Sequence, residues 1–223
     1  MDDEHQALAY AQADFSRSDQ ALVEVILRLI RQEPREPRRL LDLGCGPGNL
    51  TFPLAEALPE VAVLGLDGAG AMLGHALRRQ RNEPDRWPRL QFIQATLPLS
   101  SRADLRDLPA MVQPPFQVVV CNSLLHHLHD PQVLWRSILE LGSRGTLVVL
   151  RDLRRPDDPR ELEDLVSRHV SDAPAILQRD YRSSLQAAFR PTEVRRQLQR
   201  AGLDQLQVLE VEDRYLDVVG VLP

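Results

Sequence analysis

The residues best suited to chemistry are seven in a row, Asp42-Leu43-Gly44-Cys45-Gly46-Pro47-Gly48. Three glycines spaced by single residues let a chain turn tightly and leave no side chain between backbone and ligand. An apolar run (Leu40, Leu41, Leu43) precedes them and a helical pattern follows from about Asn49. Free N–H groups at that helix start would face a crevice above the strand ends. A dinucleotide fingerprint, G-x-G-x-x-G, needs its third glycine three residues after the second. Here Gly48 follows Gly46 by two and position 49 is Asn, so the loop departs from the nicotinamide pattern.

Two further groups stand at the ends of apolar runs. VAVLGLD closes on Asp67, where a carboxylate can accept from both ribose hydroxyls of a nucleoside. The same Asp could instead cap a helix starting near Gly68-Ala69-Gly70. FQVVVCN is followed by Ser123, His126, His127, His129 and Asp130. Histidine accepts a proton near neutral pH, which makes His126 and His127 candidates for proton transfer. Loop packing is the competing role, and Asp130 also reads as a helix N-cap. Adjacent histidines diverge, so the cluster does not read as a metal site. Cys45 and Cys121 read as small apolar wall residues. Arg151, Arg182 and Tyr181 would favour an anionic acceptor such as a carboxylate if they converge, and are otherwise surface charge and helix packing.

The elements that must position these residues alternate. Strands are expected at 39–44, 61–67, 90–95, 116–122 and 146–151, with helices at 49–58, 69–80 and 131–141 between them. Strands alternating with helices imply a parallel, doubly wound α/β sheet covered by helices on both faces. Helical stretches follow at about 157–170, 174–189 and 191–201. Strands at 205–211 and 215–221 then close the chain around Glu212-Asp213, a two-residue turn that demands an antiparallel hairpin. At the N-terminus, helices are expected over 4–13 and over 19–33, where Leu22, Val23, Ile26, Leu27 and Ile30 mark one apolar face. Residues 1–37 are read as a helical lid that includes Tyr10 and Phe15. Residues 38–223 are read as one domain with a helical insertion at about 157–190. A further helical turn is expected around Asp104–Leu108.

The chain has 223 residues, 43% of them hydrophobic, enough to bury one large core. A net charge of -5 with no basic tract argues against a nucleic-acid partner. Two distant cysteines make no disulfide framework, the acidic start is no signal peptide, and no run is long enough to span a bilayer. The expectation is a cytoplasmic protein acting on a small molecule, with no membrane partner, as a monomer or a homodimer.

Residues 40–73, LLDLGCGPGNLTFPLAEALPEVAVLGLDGAGAML, resemble the first two motifs of class I S-adenosylmethionine (SAM)-dependent methyltransferases. They are similar to the small-molecule branch that includes ubiquinone/menaquinone C-methyltransferases. CNSLLHHLHDP at 121–131, the strand at 146–151 and the closing hairpin extend the likeness over about 38–152 and 191–221. The resemblance implies a Rossmann-like, seven-stranded, mostly parallel sheet, SAM as cofactor, and in-line transfer of a methyl group to an O, N or C nucleophile. It implies that Asp42 lies near the SAM amino group and that Gly44, Cys45, Gly46 and Gly48 pass beside the methionine and ribose. Asp67 would hold the ribose, Gly68 and Met72 would pack by the adenine, and Asn122 and Ser123 would face the sulfonium and its methionine portion. Many members carry an acid after the third strand that meets the adenine. Here that stretch is Gln94-Ala95-Thr96-Leu97, which leaves Thr96 or a backbone carbonyl in its place. Gln113-Pro114-Pro115-Phe116 is similar to the N-P-P-Y motif of nucleic-acid amino-methyltransferases but precedes the fourth strand instead of following it. A SAM-binding protein without methyl transfer, or with other SAM chemistry, is the alternative; a nicotinamide oxidoreductase is disfavoured by the glycine spacing.

Overall fold

A computed structural model describes residues 16–99 and 109–223. The helix expected over 4–13, the turn expected at Asp104–Leu108, and Tyr10 and Phe15 lie outside them. Seven strands form one sheet in the order β3-β2-β1-β4-β5-β7-β6. The strands are β1 (Arg39–Leu43), β2 (Ala62–Asp67), β3 (Leu90–Gln94), β4 (Val118–Asn122), β5 (Leu147–Leu153), β6 (Gln207–Val211) and β7 (Tyr215–Val221). The first five pair in parallel, and β7 runs antiparallel to both β5 and β6. Among the described residues seven α-helices accompany them: α1 (Ser16–Gln32), α2 (Thr51–Ala57), α3 (Gly70–Asn82), α4 (Gln132–Leu141), α5 (Pro159–Val170), α6 (Ala175–Ala187) and α7 (Pro191–Arg200). None of the described helices is long and apolar enough to cross a membrane.

Burial on both faces explains the apolar central strands. β4 and β5 are buried almost throughout, so alternation with polar residues is absent. Leu41, Leu43, Val119, Cys121, Val148 and Leu150 face one layer, where Trp135 and Ile138 of α4 and Val194 and Leu198 of α7 pack. Leu40, Val63, Val118, Val120 and Val149 face the other layer, with Phe52 and Leu54 of α2 and Ala76 of α3. That second layer also receives Leu22, Val23, Ile26 and Ile30, the apolar stripe of α1. Each such side chain contributes about 1.5–3 kcal/mol when fully buried, which ties α1 to the sheet.

The β6–β7 connection is longer than the two residues expected from sequence. Val211 pairs with Tyr215, so Glu212, Asp213 and Arg214 form the turn. Glu212 takes φ 53 there, a left-handed backbone at the first turn position. Helices α5 and α6 enclose a separate small core of Leu153, Leu165, Val166, Leu185, Ala188 and Tyr215. Asp158 caps α5 by accepting from the N–H groups of Arg160 and Glu161, and Pro159 supplies a preset first-turn φ. The helical insertion is thus seated over the carboxyl end of β5 and the amino end of β7.

Candidate active site

The sheet order reverses beside β1, where β2 lies on one side and β4 on the other, and the loops leaving these strands diverge into a crevice. Gly44 enters that crevice at φ +73, and a Cβ there would meet Leu124 at 3.0 Å. The turn is latched by Leu66 O, which accepts from the Gly44 and Cys45 N–H groups. Asp67 completes the latch. Its two carboxylate oxygens accept from the Gly46 and Ala69 N–H groups, each at 2.7 Å. The carboxylate therefore positions the glycine loop while retaining lone pairs for a ligand.

The crevice encloses about 330 Å³ and is lined by Asp42, Gly44, Cys45, Gly46, Asp67, Gly68, Met72, Asn122 and Ser123, all named from sequence. Gly48 and Thr96 are corrections, since neither lines it. A Cβ on Gly48 would sit 2.7 Å from the Phe52 ring, so this glycine, at φ +87, serves close packing of α2. Thr96 lies beside Gly68 and is exposed.

Asp42 is fully buried, accepts from the Thr51 hydroxyl at 2.6 Å, and is pushed up to about 7 by burial. Asp19 of α1 also lines the crevice and is pushed up to about 6 by burial. It accepts from Asn49 Nδ2 at 3.1 Å and Asn122 Nδ2 at 3.4 Å. The sequence reading missed Asp19, because α1 announced itself only through its apolar face. Burial holds the thiols of Cys45 and Cys121 well above their usual range, which makes both poor nucleophiles.

A second, larger cavity of about 1030 Å³ adjoins the first. Asp19, Asn122, Ser123 and His127 line both. Ser123 sits at φ 56, a strained conformation for a residue with a Cβ and one concentrated at functional sites. The floor includes His126, whose Nδ1 lies 2.5 Å from Asp152 Oδ1. Asp152 also accepts the Leu153 N–H at 2.7 Å and the His126 N–H at 3.4 Å. A carboxylate ringed by donors fixes the proton on Nδ1 and leaves the Nε2 lone pair for the cavity. His127 stacks on His126 with ring centroids 4.0 Å apart, and burial above all lowers it to about 4. The two histidines therefore differ: one is oriented by an acid, the other is held neutral and is a weak base.

Three residues were named from sequence for an acceptor. Tyr181 lines the larger cavity. Arg151 also lines it, but its Nε and Nη2 each donate to Asp217 at 2.7 Å, its antiparallel partner on β7. Arg182 is a correction. It lies mid-helix in α6, and Leu177, Asp180, Tyr181, Ser184 and Ala187 take the cavity face at helical spacing. Arg182 then points the other way and pairs with Glu163 at 2.8 Å. The cation the sequence reading overlooked is Arg214, in the hairpin turn. It lines the cavity over the Tyr215 ring and makes no salt bridge among the described residues. Tyr181 Oη is buried beside it without a well-aligned hydrogen bond.

Residues 41–148 match a family model described as a methyltransferase domain. The chain is 34% identical over 144 residues to a trans-aconitate 2-methyltransferase of Methylobacterium nodulans, spanning 64% of this chain and 48% of that protein. It is 28% identical over 127 residues to a malonyl-[acyl-carrier protein] O-methyltransferase of Legionella pneumophila, 57% of this chain and 40% of the relative. The structure superposes on a SAM-dependent methyltransferase from Aquifex aeolicus with a TM-score of 0.64 at 15% identity, covering 96% of each chain. This chain is similar, from residue 41 to 148, to the methyltransferase domain of class I SAM-dependent methyltransferases. It spans about half the length of the curated relatives it matches.

The cofactor of this methyltransferase family is SAM, and the charge of the crevice tests whether it fits here. Asp19, Asp42 and Asp67 line the crevice, and no Lys or Arg does so among the described residues. A pyrophosphate would be repelled there, whereas SAM carries an ammonium and a sulfonium against a single carboxylate, a net positive charge, and no phosphate. The residues fit SAM. Its positive charges favour ionised Asp42 and Asp19, so binding lowers both pKa values and releases protons. SAM affinity is expected to rise about tenfold or more between pH 5.5 and 7.5. Calorimetry in buffers of different ionisation enthalpy reads both the affinity and the proton release. In the unliganded protein the sign is opposite. Carboxyls raised in the folded state stabilise fully below about pH 4, and that contribution is lost as pH rises through about 6 and 7.

Proposed function

We propose that the chain methylates a small-molecule acceptor that carries an anionic group at Arg214 and a proton-bearing nucleophile at His126. The observation that carries this reading is the wall common to the two cavities: an occupant of the glycine-loop crevice abuts an occupant of the larger one. SAM, when bound, supplies an electrophilic methyl carbon. The protein's task is to hold an acceptor atom about 3 Å from that carbon and in line, a positioning effect worth up to ~7–11 kcal/mol. Asp42 and Asp67 bind and orient from the crevice side. His126 Nε2 takes the acceptor's proton, and Asp152 holds the imidazole in the tautomer that can do so.

The anionic group is supported by the absence of a salt bridge to Arg214 among the described residues and by relatives named for trans-aconitate and for malonyl-[acyl-carrier protein]. Arg214→Met is expected to raise the acceptor KM by about 10–100-fold, the value of one or two charge-assisted hydrogen bonds, with the Kd for SAM unchanged. Arg182→Met should leave both alone. The founding test is incubation of the protein with methyl-labelled SAM and a metabolite extract, with the product isolated. Label entering a small acid supports the reading. Tight SAM binding with no transfer to any extract component would overturn it in favour of a SAM-binding protein without methyl transfer.

A further inference from the structure

Asp19, Asn122, Ser123 and His127 form the wall between the two cavities. A methyl group passes from one cavity to the other only across this wall, so the positive sulfur that carries it must lie beside these four residues. Asn122 and Ser123 bear no charge, and burial keeps His127 neutral. Asp19 is the fourth. It is 9% exposed, and one amide N–H from Asn49 and one from Asn122 fix its two oxygens. Burial, offset in part by the two amides, raises its pKa to about 6, so it is ionised at pH 7.5. No Lys, Arg or His pairs with it among the described residues. A buried, oriented carboxylate without a cation is costly until a cation arrives.

We propose that Asp19 is the residue that discriminates between the charged and the spent cofactor. Its carboxylate recognises the sulfonium of SAM and gains nothing from the neutral thioether of S-adenosylhomocysteine (SAH). This rests on the cofactor reading above. The consequence is that α1, docked by its apolar stripe, carries a charge sensor into the junction and makes release of the spent cofactor easier than release of SAM.

The test is calorimetric titration of the whole chain at pH 7.5 with three probes: SAM, SAH and sinefungin, which bears an amine where SAM bears the sulfonium methyl. Wild type is expected to bind SAM and sinefungin more tightly than SAH. Asp19→Asn keeps the shape of the side chain and should weaken SAM and sinefungin by ~10-fold or more while changing SAH by less than about threefold. Asp19→Ser is titrated alongside, so that the comparison does not hang on the folding of one variant. Asp19→Glu retains the charge and Asn49→Ala removes one brace without touching it, and both should keep the preference for the cationic probes. Equal weakening of all three probes in Asp19→Asn and Asp19→Ser, or an unaltered SAM-to-SAH ratio, overturns the proposal. Failure of wild type to bind any of the three overturns the cofactor reading itself, which is a different result.

Discussion

His126→Ala is expected to lower kcat by ~10²–10⁴-fold, the usual worth of a positioned base, with SAM affinity within about twofold of wild type. The reason is the division of labour at the ring. Asp152 occupies Nδ1 at 2.5 Å, so the proton-accepting edge that remains is Nε2, and His126 lines the acceptor cavity. Asp152→Asn should cost about as much, within a factor of ~10, although its side chain never meets the acceptor. An Asn can offer its N–H to Nδ1, which would drive the proton to Nε2 and convert the base into a donor. Truncating either partner also unpairs a buried polar group, so each variant's thermal melt must be measured beside its kinetics. His127→Gln is the contrast. A ring held down at about 4 takes few protons at neutral pH, and its loss should change kcat by less than ~10-fold. Steady-state rates at saturating acceptor distinguish these cases. Wild-type turnover in His126→Ala would mean that the acceptor atom reacts already ionised, as a carboxylate does, and would remove the base from the mechanism.

The cofactor half of this site was legible in the sequence because its parts are local. Asp42 to Gly48 are consecutive, Asp67 ends the next strand, and a parallel sheet necessarily brings both strand ends to one edge. Backbone geometry carries the loop, so residue type alone reports it. The acceptor half is assembled from long-range pairs, and there side-chain direction decides. Asp19 meets Asn122 across 103 positions of sequence, and an acid in the first turn of an amphipathic helix reads as a response to the helix dipole. Arg151 and Asp152 are neighbours on β5 with opposite fates, because successive strand residues face opposite sides. The register gives Arg151 to Asp217 and leaves Asp152 for His126. Arg182 could have been set aside from sequence, since it falls off the face shared by Leu177, Asp180, Tyr181 and Ser184. Arg214 could not, because a three-residue turn aims a side chain differently from a two-residue one. The quinone-like resemblance rests on the same cofactor motifs, which say nothing of the acceptor.

Asp67→Ala is expected to weaken SAM binding by about 10²-fold or more, since charge-assisted hydrogen bonds contribute about 1.5–3 kcal/mol each and this carboxylate serves several. Two of them are visible without any ligand, to the N–H groups of Gly46 and Ala69. Removing the carboxylate thus loses whatever it gives the ribose and also unlatches the loop that shapes the crevice floor. Gly46 is buried and Ala69 half-buried, but both line the crevice, so the melting temperature should fall only modestly while affinity collapses. Asp67→Asn separates the two roles. It keeps one accepting oxygen but sets an NH₂ against the second backbone N–H, so it should recover little affinity if the latch matters. If the ribose contact alone matters, an Asn able to bond one hydroxyl should recover about half of the lost free energy. Titration of both variants with SAM decides between these. Affinity within about threefold of wild type in Asp67→Ala would show that neither role holds, because a single lost charge-assisted bond already exceeds that change. The glycine loop would then be held by Leu66 O alone, and the nucleoside would have to be oriented from elsewhere in the crevice.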